Sequence, residues 1–374
     1  MKIFIDENIP YGEDFFADYG ELTFFSGRDV TAEALAEADV LLVRSITQVN
    51  ESLLYLNKSI KFVGTATIGT DHIDQAYLQS RGILFSSAPG CNKISVAEYI
   101  LSSLLVCAEK KQFLLKDKTV AIVGAGNTGS AVLQRLNALG VSCRLYDPPL
   151  QRAGDKREFC TFEEVLEADI ITLHVPKTKV GPYPTVHMFN RAVLQKLNTE
   201  QILINASRGE VIDNQALLEL AMQNVTPTLV LDVWENEPNI NKKLLPFVEI
   251  ATPHIAGYSL DGKVRGTEML YQAFCLYFDK KIDYAAQDFV AHSAIKDITI
   301  TQPLDQGLFK SLQHLIFDVR RDDTLFRQII GQENGFDTMR KTYQERRELS
   351  TLTVHSSIEQ TSLLRALGFA KSES

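Results

Sequence analysis

The sequence has few cysteines, no long apolar run and no excess of positive charge, and each of these shortages excludes a class of protein. Its five cysteines show no metal-binding spacing, and their odd number leaves at least one thiol unpaired, as is typical of a reducing compartment. No apolar stretch reaches the ~20 residues of a membrane-spanning helix. The 38 Lys and Arg against 47 Asp and Glu give a net charge of −9, which argues against binding to nucleic acid or to a membrane surface. We therefore expect a cytoplasmic protein without a metal site, in which any anionic partner needs a local basic pocket.

What the 374-residue chain does contain is a series of short apolar runs rich in Val, Ile and Leu. The runs lie at residues 2–5, 40–43, 60–63, 119–123, 143–146, 169–173, 202–205, 229–233 and 249–251. Helical patterns lie at residues 31–38, 74–80, 95–107 and 263–278. Runs that lack a polar face are typical of parallel strands covered on both sides by helices. The combination predicts an α/β protein with doubly wound parallel sheets.

The order of these patterns predicts three domains. Residues 1–93 and 258–281 are expected to form a flavodoxin-like domain, and residues 94–257 a Rossmann domain. The remaining segment, 282–374, mixes alternating stretches with helical ones. It predicts a small α+β domain whose role is subunit assembly rather than catalysis.

A charged stretch lies within this last segment. Its members are Arg340, Lys341, Glu345, Arg346, Arg347 and Glu348. Such a run is usually the solvated face of a helix, and we expect that here. The alternative is that one of the arginines binds a substrate phosphate across a subunit interface.

A glycine-rich turn follows the strand predicted at 119–123. Gly124, Gly126 and Gly129 form the pattern G-x-G-x-x-G, with Asn127 and Thr128 at the predicted start of the helix. In dinucleotide-binding folds the glycines allow a tight turn, close approach of a pyrophosphate and close packing of helix on strand. The helix N-terminus then offers unpaired N–H groups to the phosphates.

Asp147 ends the next predicted strand, where a carboxylate binds the hydroxyls of the adenosine ribose in such folds. A carboxylate also repels a 2′-phosphate, so the sequence predicts NAD rather than NADP as the cofactor. The neighbouring Arg144 and Arg152 work against that preference.

Three residues with complementary chemistry follow three successive predicted strands. They are Arg208, Glu237 and His254. Ligands of open α/β sheets bind at the carboxyl ends of the strands, so these side chains are expected to meet there. Imidazole can take the proton of an alcohol during hydride transfer, a carboxylate can orient it, and a guanidinium can bind the substrate carboxylate.

These motifs resemble, in order, those of the NAD-dependent D-2-hydroxyacid dehydrogenase family. The matching stretches are IGTDHID, GAGNTG, NASRGEVID, DVWENEP and PHIAG, within residues 1–280. The resemblance implies that His254 is the acid/base, Glu237 its partner and Arg208 the substrate-binding and electrophilic residue. It also implies that the first domain is a substrate domain, acting as a lid, beside the NAD domain.

The resemblance implies further cofactor contacts. Beyond the glycine-rich turn and Asp147, these are Val175, Ala206, Ser207, Asp232 and Gly257. Val175 departs from the family pattern, because most members have a small polar residue at this position.

The start of the chain, the segment 179–189 and the region beyond residue 281 resemble one branch of this family. That likeness implies oxidation of 4-phospho-D-erythronate at C2 in pyridoxal 5′-phosphate biosynthesis, by a homodimer formed through 282–374. The substrate is then a small phosphorylated sugar acid.

Anchors for both ends of such a substrate are predicted in the first domain. Arg44 and Ser45, at the end of a strand, are expected to bind the phosphate, although Arg44 can also be a surface ion-pair residue. Thr67 resembles a carboxylate-binding position of the family. Tyr258 is expected either to close over the substrate or simply to pack.

Two other functions are compatible with parts of this pattern. Another 2-hydroxy acid such as 3-phosphoglycerate would retain every catalytic residue and change only the pocket. An NAD-sensing corepressor-like protein would retain the fold, but the presence of Arg208, Glu237 and His254 disfavours it.

Overall fold

The computed structural model describes residues 1–291 and 293–371. The strands are β1 Lys2–Asp6, β2 Glu21–Phe25, β3 Val40–Val43, β4 Phe62–Thr65, β5 Leu84–Ser87, β6 Thr119–Val123, β7 Ser142–Tyr146, β8 Ile170–Leu173, β9 Ile202–Asn205, β10 Thr228–Leu231, β11 Val248–Ala251, β12 Asp297–Ile300 and β13 Thr353–Ser356. The helices are α1 Gly12–Phe16, α2 Glu51–Leu54, α3 Gln75–Ser80, α4 Lys93–Lys111, α5 Asn127–Ala138, α6 Pro148–Arg152, α7 Phe162–Leu166, α8 Arg191–Leu194, α9 Asn214–Ala221, α10 Leu260–Tyr277, α11 Gln306–Ile316, α12 Val319–Ile329, α13 Gly335–Lys341 and α14 Thr361–Leu367. Among these helices, none is both long enough and apolar enough to span a bilayer.

The chain divides into two units. The first is Met1–Asn92 with Tyr258–His292, and the second is Lys93–Gly257 with Ser293–Ser374. Residues 293–371, which we call the tail, therefore belong to the same unit as the glycine-rich turn. A separate third domain over 282–374 stays a prediction.

The first unit is a parallel sheet in the order β2-β1-β3-β4-β5. This is the flavodoxin-like order, in which the direction of winding changes between the first and third strands. The central strands β3 and β4 are fully buried, and α10 packs an apolar face with Phe274 against this sheet. The prediction of a doubly wound α/β fold is confirmed for this part of the chain.

Two edge strands and one helix of the first unit differ from the prediction. The strands β2 and β5 are only partly buried, so their sequences lack the apolar runs that mark central strands. The helix predicted at 31–38 is wrong, because these residues form successive turns. Their backbone bonds differ in span, four residues from Leu35 N–H to Thr31 O and three from Ala38 N–H to Leu35 O, and they form no continuous helical ladder.

The second unit contains a six-stranded parallel sheet in the order β11-β10-β9-β8-β6-β7. The direction of winding changes between β6 and β8, so a crevice for a ligand is expected outside the carboxyl ends of these strands. Asn205, Leu231 and Ala251 lie side by side in the register of β9, β10 and β11. The loops that follow these strands therefore start at one level of the same edge.

The tail completes the second unit with helices and the parallel pair β12 and β13. Phe326, Phe336 and Met339 join the apolar cluster that contains Trp234 beneath the sheet. The expectation of a solvated helix face over the charged stretch is wrong for part of it. The helix α13 ends at Lys341, and Arg346 and Glu348 are 2% and 0% exposed.

Candidate active site

The glycine-rich turn has the close contacts that its sequence predicts. Gly124 has a φ of 93°, and a Cβ there would lie 2.5 Å from the carbonyl oxygen of His174. A Cβ on Gly129 would overlap the carbonyl oxygen of Gly124, because α5 starts directly against β6. Both positions therefore exclude any other residue.

The space around this turn fits the phosphates of a dinucleotide. A Cβ on Gly126 would meet no atom within 4 Å, so the backbone faces open space where α5 begins. The start of α5 has no side-chain cap, and Asn127 is exposed there beside the half-buried Thr128. Uncapped N–H groups and the positive end of the helix dipole suit an anion.

Asp147 lies directly beside the glycine-rich turn. One carboxylate oxygen accepts from the Ala125 N–H at 2.8 Å, and the other caps α6 by accepting from the Leu150 N–H at 3.0 Å. Each oxygen retains a lone pair for a ribose hydroxyl. Sequence reasoning missed Arg157, which donates to the Ser130 hydroxyl at 2.9 Å on α5; only its position after the Asp147 helix hinted at this.

His254 and Glu237 form a hydrogen-bonded pair. The His254 Nδ1 lies 2.7 Å from the Glu237 Oε2, and Glu237 Oε1 accepts from the Trp234 N–H at 2.9 Å. Burial alone would raise the pKa of Glu237, but the positive charge of His254, these hydrogen bonds and the charge of Arg340 together lower it. The carboxylate is therefore ionised, and it can hold a proton on Nδ1 of the imidazole.

Asp232 supports the turn that carries His254. Its buried carboxylate accepts from the Thr252 hydroxyl and from the N–H groups of Ile255 and Ala256, at 2.7, 2.8 and 3.0 Å. Burial raises the pKa of Asp232 against the opposing effects of His254 and these donors. The observed contacts are all to protein groups, so its contact with NAD stays a prediction.

Arg208 lies on the loop after β9. Asn205 shapes this loop by accepting from the Ser207 N–H at 3.1 Å and donating to the Arg208 carbonyl at 2.9 Å. The Arg208 guanidinium donates to the Ser207 carbonyl at 2.8 Å, and Ala206 is half-buried beside them. This loop and the His254 turn thus both extend from the same edge of the sheet.

His174 and Val175 follow β8 next to the glycine-rich turn. Burial lowers the pKa of His174 to about 3, so its ring is neutral, and its Nε2 lies 2.9 Å from the Thr172 hydroxyl. Val175 packs against the apolar cluster beneath the sheet. Its side chain offers no hydrogen bond, so any polar contact at this position must come from the backbone.

Apart from Arg208, the predicted substrate residues lie in the first unit. Arg44 donates to the Asn8 carbonyl at 2.8 Å, and its guanidinium lies 5.8 Å from the ring centre of Tyr258. Lys263, which sequence reasoning missed, has its Nζ 4.7 Å from the same ring. The sequence feature that could have indicated Lys263 is its position in the first turn of α10, close after Tyr258. Two cations thus lie close to one tyrosine ring and form a local cluster of positive charge.

Three further predicted residues, Ser45, Thr67 and Gly257, have surroundings that do not test their proposed contacts. Ser45 is exposed just beyond β3, and Gly257 is half-buried at the end of the His254 turn. The Thr67 hydroxyl already donates to the Gly69 carbonyl at 2.9 Å and lies 2.8 Å from the Thr65 hydroxyl. Each of these roles stays a prediction.

One group of possible metal ligands lies elsewhere in the second unit. The ligand atoms of His187, Asp213 and Glu235 lie within 4.8 Å of one another. The Glu235 carboxylate already bonds to His187 at 2.7 Å and to the Asn214 N–H at 2.7 Å, and Asp213 caps α9. These protein contacts account for the arrangement.

The chain is similar to proteins of known family over its whole length. Residues 107–256 match the family described as D-isomer specific 2-hydroxyacid dehydrogenase, NAD binding domain, and residues 289–368 match a domain of unknown function, DUF3410.

Two relatives are named erythronate-4-phosphate dehydrogenase. One, from Psychromonas ingrahamii, is 71% identical over 99% of this chain and 97% of that protein, and one from Tolumonas auensis is 52% identical over the full length of both. The solved D-lactate dehydrogenase from Aquifex aeolicus, complexed with NAD and lactic acid, is 26% identical, with a TM-score of 0.61 over 74% of this chain and 95% of that one. The chain belongs to the erythronate-4-phosphate dehydrogenase family, a branch of the NAD-dependent D-2-hydroxyacid dehydrogenases.

Proposed function

We propose that this protein oxidises the C2 hydroxyl of 4-phospho-D-erythronate, giving 2-oxo-3-hydroxy-4-phosphobutanoate in pyridoxal 5′-phosphate biosynthesis. The hydrogen-bonded pair of His254 and Glu237, 2.7 Å apart beside a dinucleotide-binding turn, carries this proposal on the structural side. The identity to relatives named for this substrate supports the choice among 2-hydroxy acids.

His254 acts as the base in this reaction. Because its Nδ1 faces Glu237, the Nε2 is the atom that takes the proton of the C2 hydroxyl. Arg208 binds the substrate carboxylate and stabilises negative charge on the developing carbonyl oxygen. Bound NAD supplies the acceptor for the hydride that leaves C2. The hydroxyl proton and the hydride thus go to different acceptors, and the C2–O bond becomes a carbonyl.

Each part of the NAD molecule has candidate ligands in the second unit. The turn from Gly124 to Gly129 would hold the pyrophosphate, and Asp147 the adenosine ribose. Contacts near the nicotinamide would come from four loops, at Val175, at Ala206 and Ser207, at Asp232 and at Gly257.

The phosphate end of the substrate is assigned to the first unit. Arg44 and Ser45 supply a guanidinium and a hydroxyl at the end of β3, and Lys263 adds a second cation beside Tyr258. Two cations suit a phosphate that carries nearly two negative charges. Thr67 is assigned to the substrate carboxylate.

The working form is proposed to be a cytoplasmic homodimer. All five cysteines are free thiols, which fits a reducing compartment. Residues 282–374 would form the dimerisation domain, 94–257 the NAD domain, and 1–93 with 258–281 the substrate domain.

An assay of NADH formation against a panel of 2-hydroxy acids tests the reaction. The panel holds 4-phospho-D-erythronate, D-erythronate, 3-phosphoglycerate and D-lactate, with identical NAD concentrations. The highest kcat/KM is expected for 4-phospho-D-erythronate. A preference for 3-phosphoglycerate would move the protein to another branch of the family, and NAD binding without turnover on any acid would indicate a sensor.

Replacing Arg44 tests the phosphate site. Arg44→Ala is expected to raise KM for 4-phospho-D-erythronate by about 10- to 100-fold, because a hydrogen bond to a charged group is worth about 1.5–3 kcal/mol. KM for D-erythronate should change far less. Arg81→Ala is the matched control, since Arg81 also lies over a tyrosine ring in the first unit, 5.6 Å from the centre of Tyr77. Equal effects on both substrates would refute the role.

A further inference from the structure

The backbone at His254 needs support from its surroundings. Its φ is 59°, a left-handed conformation that residues with a side chain adopt at a cost of about 1 kcal/mol or more. Such a conformation persists where neighbouring groups determine it. Asp232 supplies part of this support by binding the Ile255 and Ala256 N–H groups.

The tail supplies contacts on both sides of the same turn. Before His254, the Asp323 carboxylate accepts from the Ala251 N–H at 2.8 Å. After His254, the Arg346 guanidinium donates to the Ala256 carbonyl at 3.1 Å. Two residues of the tail therefore hold the two ends of the segment that carries the catalytic base.

Arg346 is itself held rigidly. It is 2% exposed, and its second amino group donates to the Ser95 carbonyl on α4 at 2.6 Å. Its guanidinium lies 3.5 Å from the ring centre of Phe317, and the carboxyl group of Glu98 lies 4.0 Å away. A planar guanidinium can reach two carbonyls at once from this position, which the single ammonium of lysine does less well.

Asp323 is fixed in a similar way. Arg327, one turn later on α12, binds its carboxylate at 2.9 Å and also donates to the Leu245 and Val248 carbonyls at 2.9 and 2.6 Å. The strand β11 is the edge of its sheet, so its outer N–H and carbonyl groups need partners. The helix α12 provides them just before the turn begins.

We propose that the tail, whose matched family has no assigned function, positions His254, and that Arg346 and Asp323 are the positioning residues. This rests on the proposed role of His254 as the base. Neither residue contacts the substrate; each restricts the backbone so that the imidazole keeps its place beside Glu237. If the tail only stabilised the fold, substitutions in it would lower the melting temperature without a selective effect on kcat.

Substitution of Arg346 is the first test, made in the full-length enzyme. Arg346→Met is expected to lower kcat by about 10- to 100-fold, because small displacements of a catalytic group have effects of this size. KM for the acid and Kd for NAD, measured by isothermal titration, should stay within about twofold. Arg346→Lys should restore part of kcat.

Arg135→Met is the matched control. Arg135 is also buried and also links the tail to the rest of the second unit, by donating to the Ala366 carbonyl at 2.7 Å. It lies on α5, and its bond to Ala366 is remote from the His254 turn. Its loss should lower the melting temperature as much as Arg346→Met and leave kcat within about twofold. An equal loss of kcat in both variants would overturn the proposal.

Asp323→Ala provides a second test that does not disturb the buried charges around Arg346. A fall of kcat by about tenfold with unchanged KM and NAD affinity is expected. The control is Asp318→Ala, which removes the N-cap of the same helix. If His254→Gln abolishes turnover while folded Asp323→Ala and Arg346→Met retain wild-type kcat, the positioning role is refuted and the proposed function stands. If His254→Gln retains turnover, the proposed function itself fails.

Discussion

At the scale of single residues, each side chain of the pair His254 and Glu237 is oriented by groups from the DVWENEP stretch itself. Glu237 is oriented by the Trp234 N–H, and the turn of His254 by Asp232. The result is an imidazole with one nitrogen directed at a carboxylate and the other available to a substrate. We therefore expect the two side chains to carry out the proton transfer and the groups around them to fix the position of the imidazole.

Replacing the base tests this arrangement. His254→Gln is expected to lower kcat by about 10²- to 10⁴-fold, because the amide cannot accept the hydroxyl proton. Binding of NAD, measured by calorimetry, should remain nearly unchanged. His355→Gln, at an exposed position paired with Asp297, is the control. Unaltered turnover in His254→Gln would remove it as the base.

Asp147 is predicted to control the choice between NAD and NADP. Asp147→Ser retains a side-chain cap for α6 and removes the negative charge, so the ratio of kcat/KM for NAD to that for NADP should fall by ~10-fold or more. Asp213→Ser, the same exchange at the N-cap of α9, should leave this ratio unchanged. A variant of Asp147 as selective as the parent would contradict the ribose assignment.

At the scale of elements, α4 shows how burial changes the meaning of a charged residue. Glu98 lies within an otherwise apolar helix and is fully buried, with the Leu349 N–H of the tail donating to it at 2.8 Å. Burial raises the pKa of Glu98 from 4.5 to about 8, helped by the negative charge of Glu348 and opposed by Arg346. At neutral pH the folded protein thus holds a proton there that the unfolded chain releases.

This pKa predicts how stability depends on pH. Between about pH 4.5 and 8 the folded state binds one more proton at Glu98, so its contribution to the free energy of unfolding falls as pH rises, by at most about 1.4 kcal/mol per unit. Glu98→Gln should remove this slope. Urea unfolding of both proteins at several pH values measures the difference. Parallel curves would contradict the raised pKa.

At the scale of the whole molecule, the two units divide the predicted roles. The second unit holds the glycine-rich turn, Asp147 and the three proposed catalytic residues, and the first holds Arg44 and Lys263 beside Tyr258. The net charge of −9 therefore says little about the site, because the cations that suit an anionic substrate are gathered locally.

The proposed dimer has a test at this scale. Deleting the tail would expose apolar core residues such as Phe326, so substitutions at its exposed leucines are preferable. Leu315 and Leu325 are 42% and 39% exposed, and changing both to Glu is expected to convert dimers to monomers in sedimentation experiments. Leu276→Glu, at an 83% exposed position of the first unit, should leave the dimer intact. Persistence of the dimer in the double variant would place the interface elsewhere.

The sequence by itself determined the class of fold, the cofactor-binding turn and the identity of the proposed catalytic trio. It does so because central parallel strands are marked by continuous apolar runs, and because their carboxyl ends lie at one edge, where Arg208, Glu237 and His254 follow in order.

Only the tertiary structure decided which charges are buried and what they contact. Arg346 resembles any surface arginine in the sequence, yet it binds Ala256, which lies 90 positions earlier in the chain, and Lys263 joins Arg44 beside Tyr258. The local periodicity of the sequence does not predict such contacts, since they depend on how elements distant in the chain pack together. The edge strands β2 and β5 escaped prediction for a related reason: partly exposed strands do not need an apolar sequence.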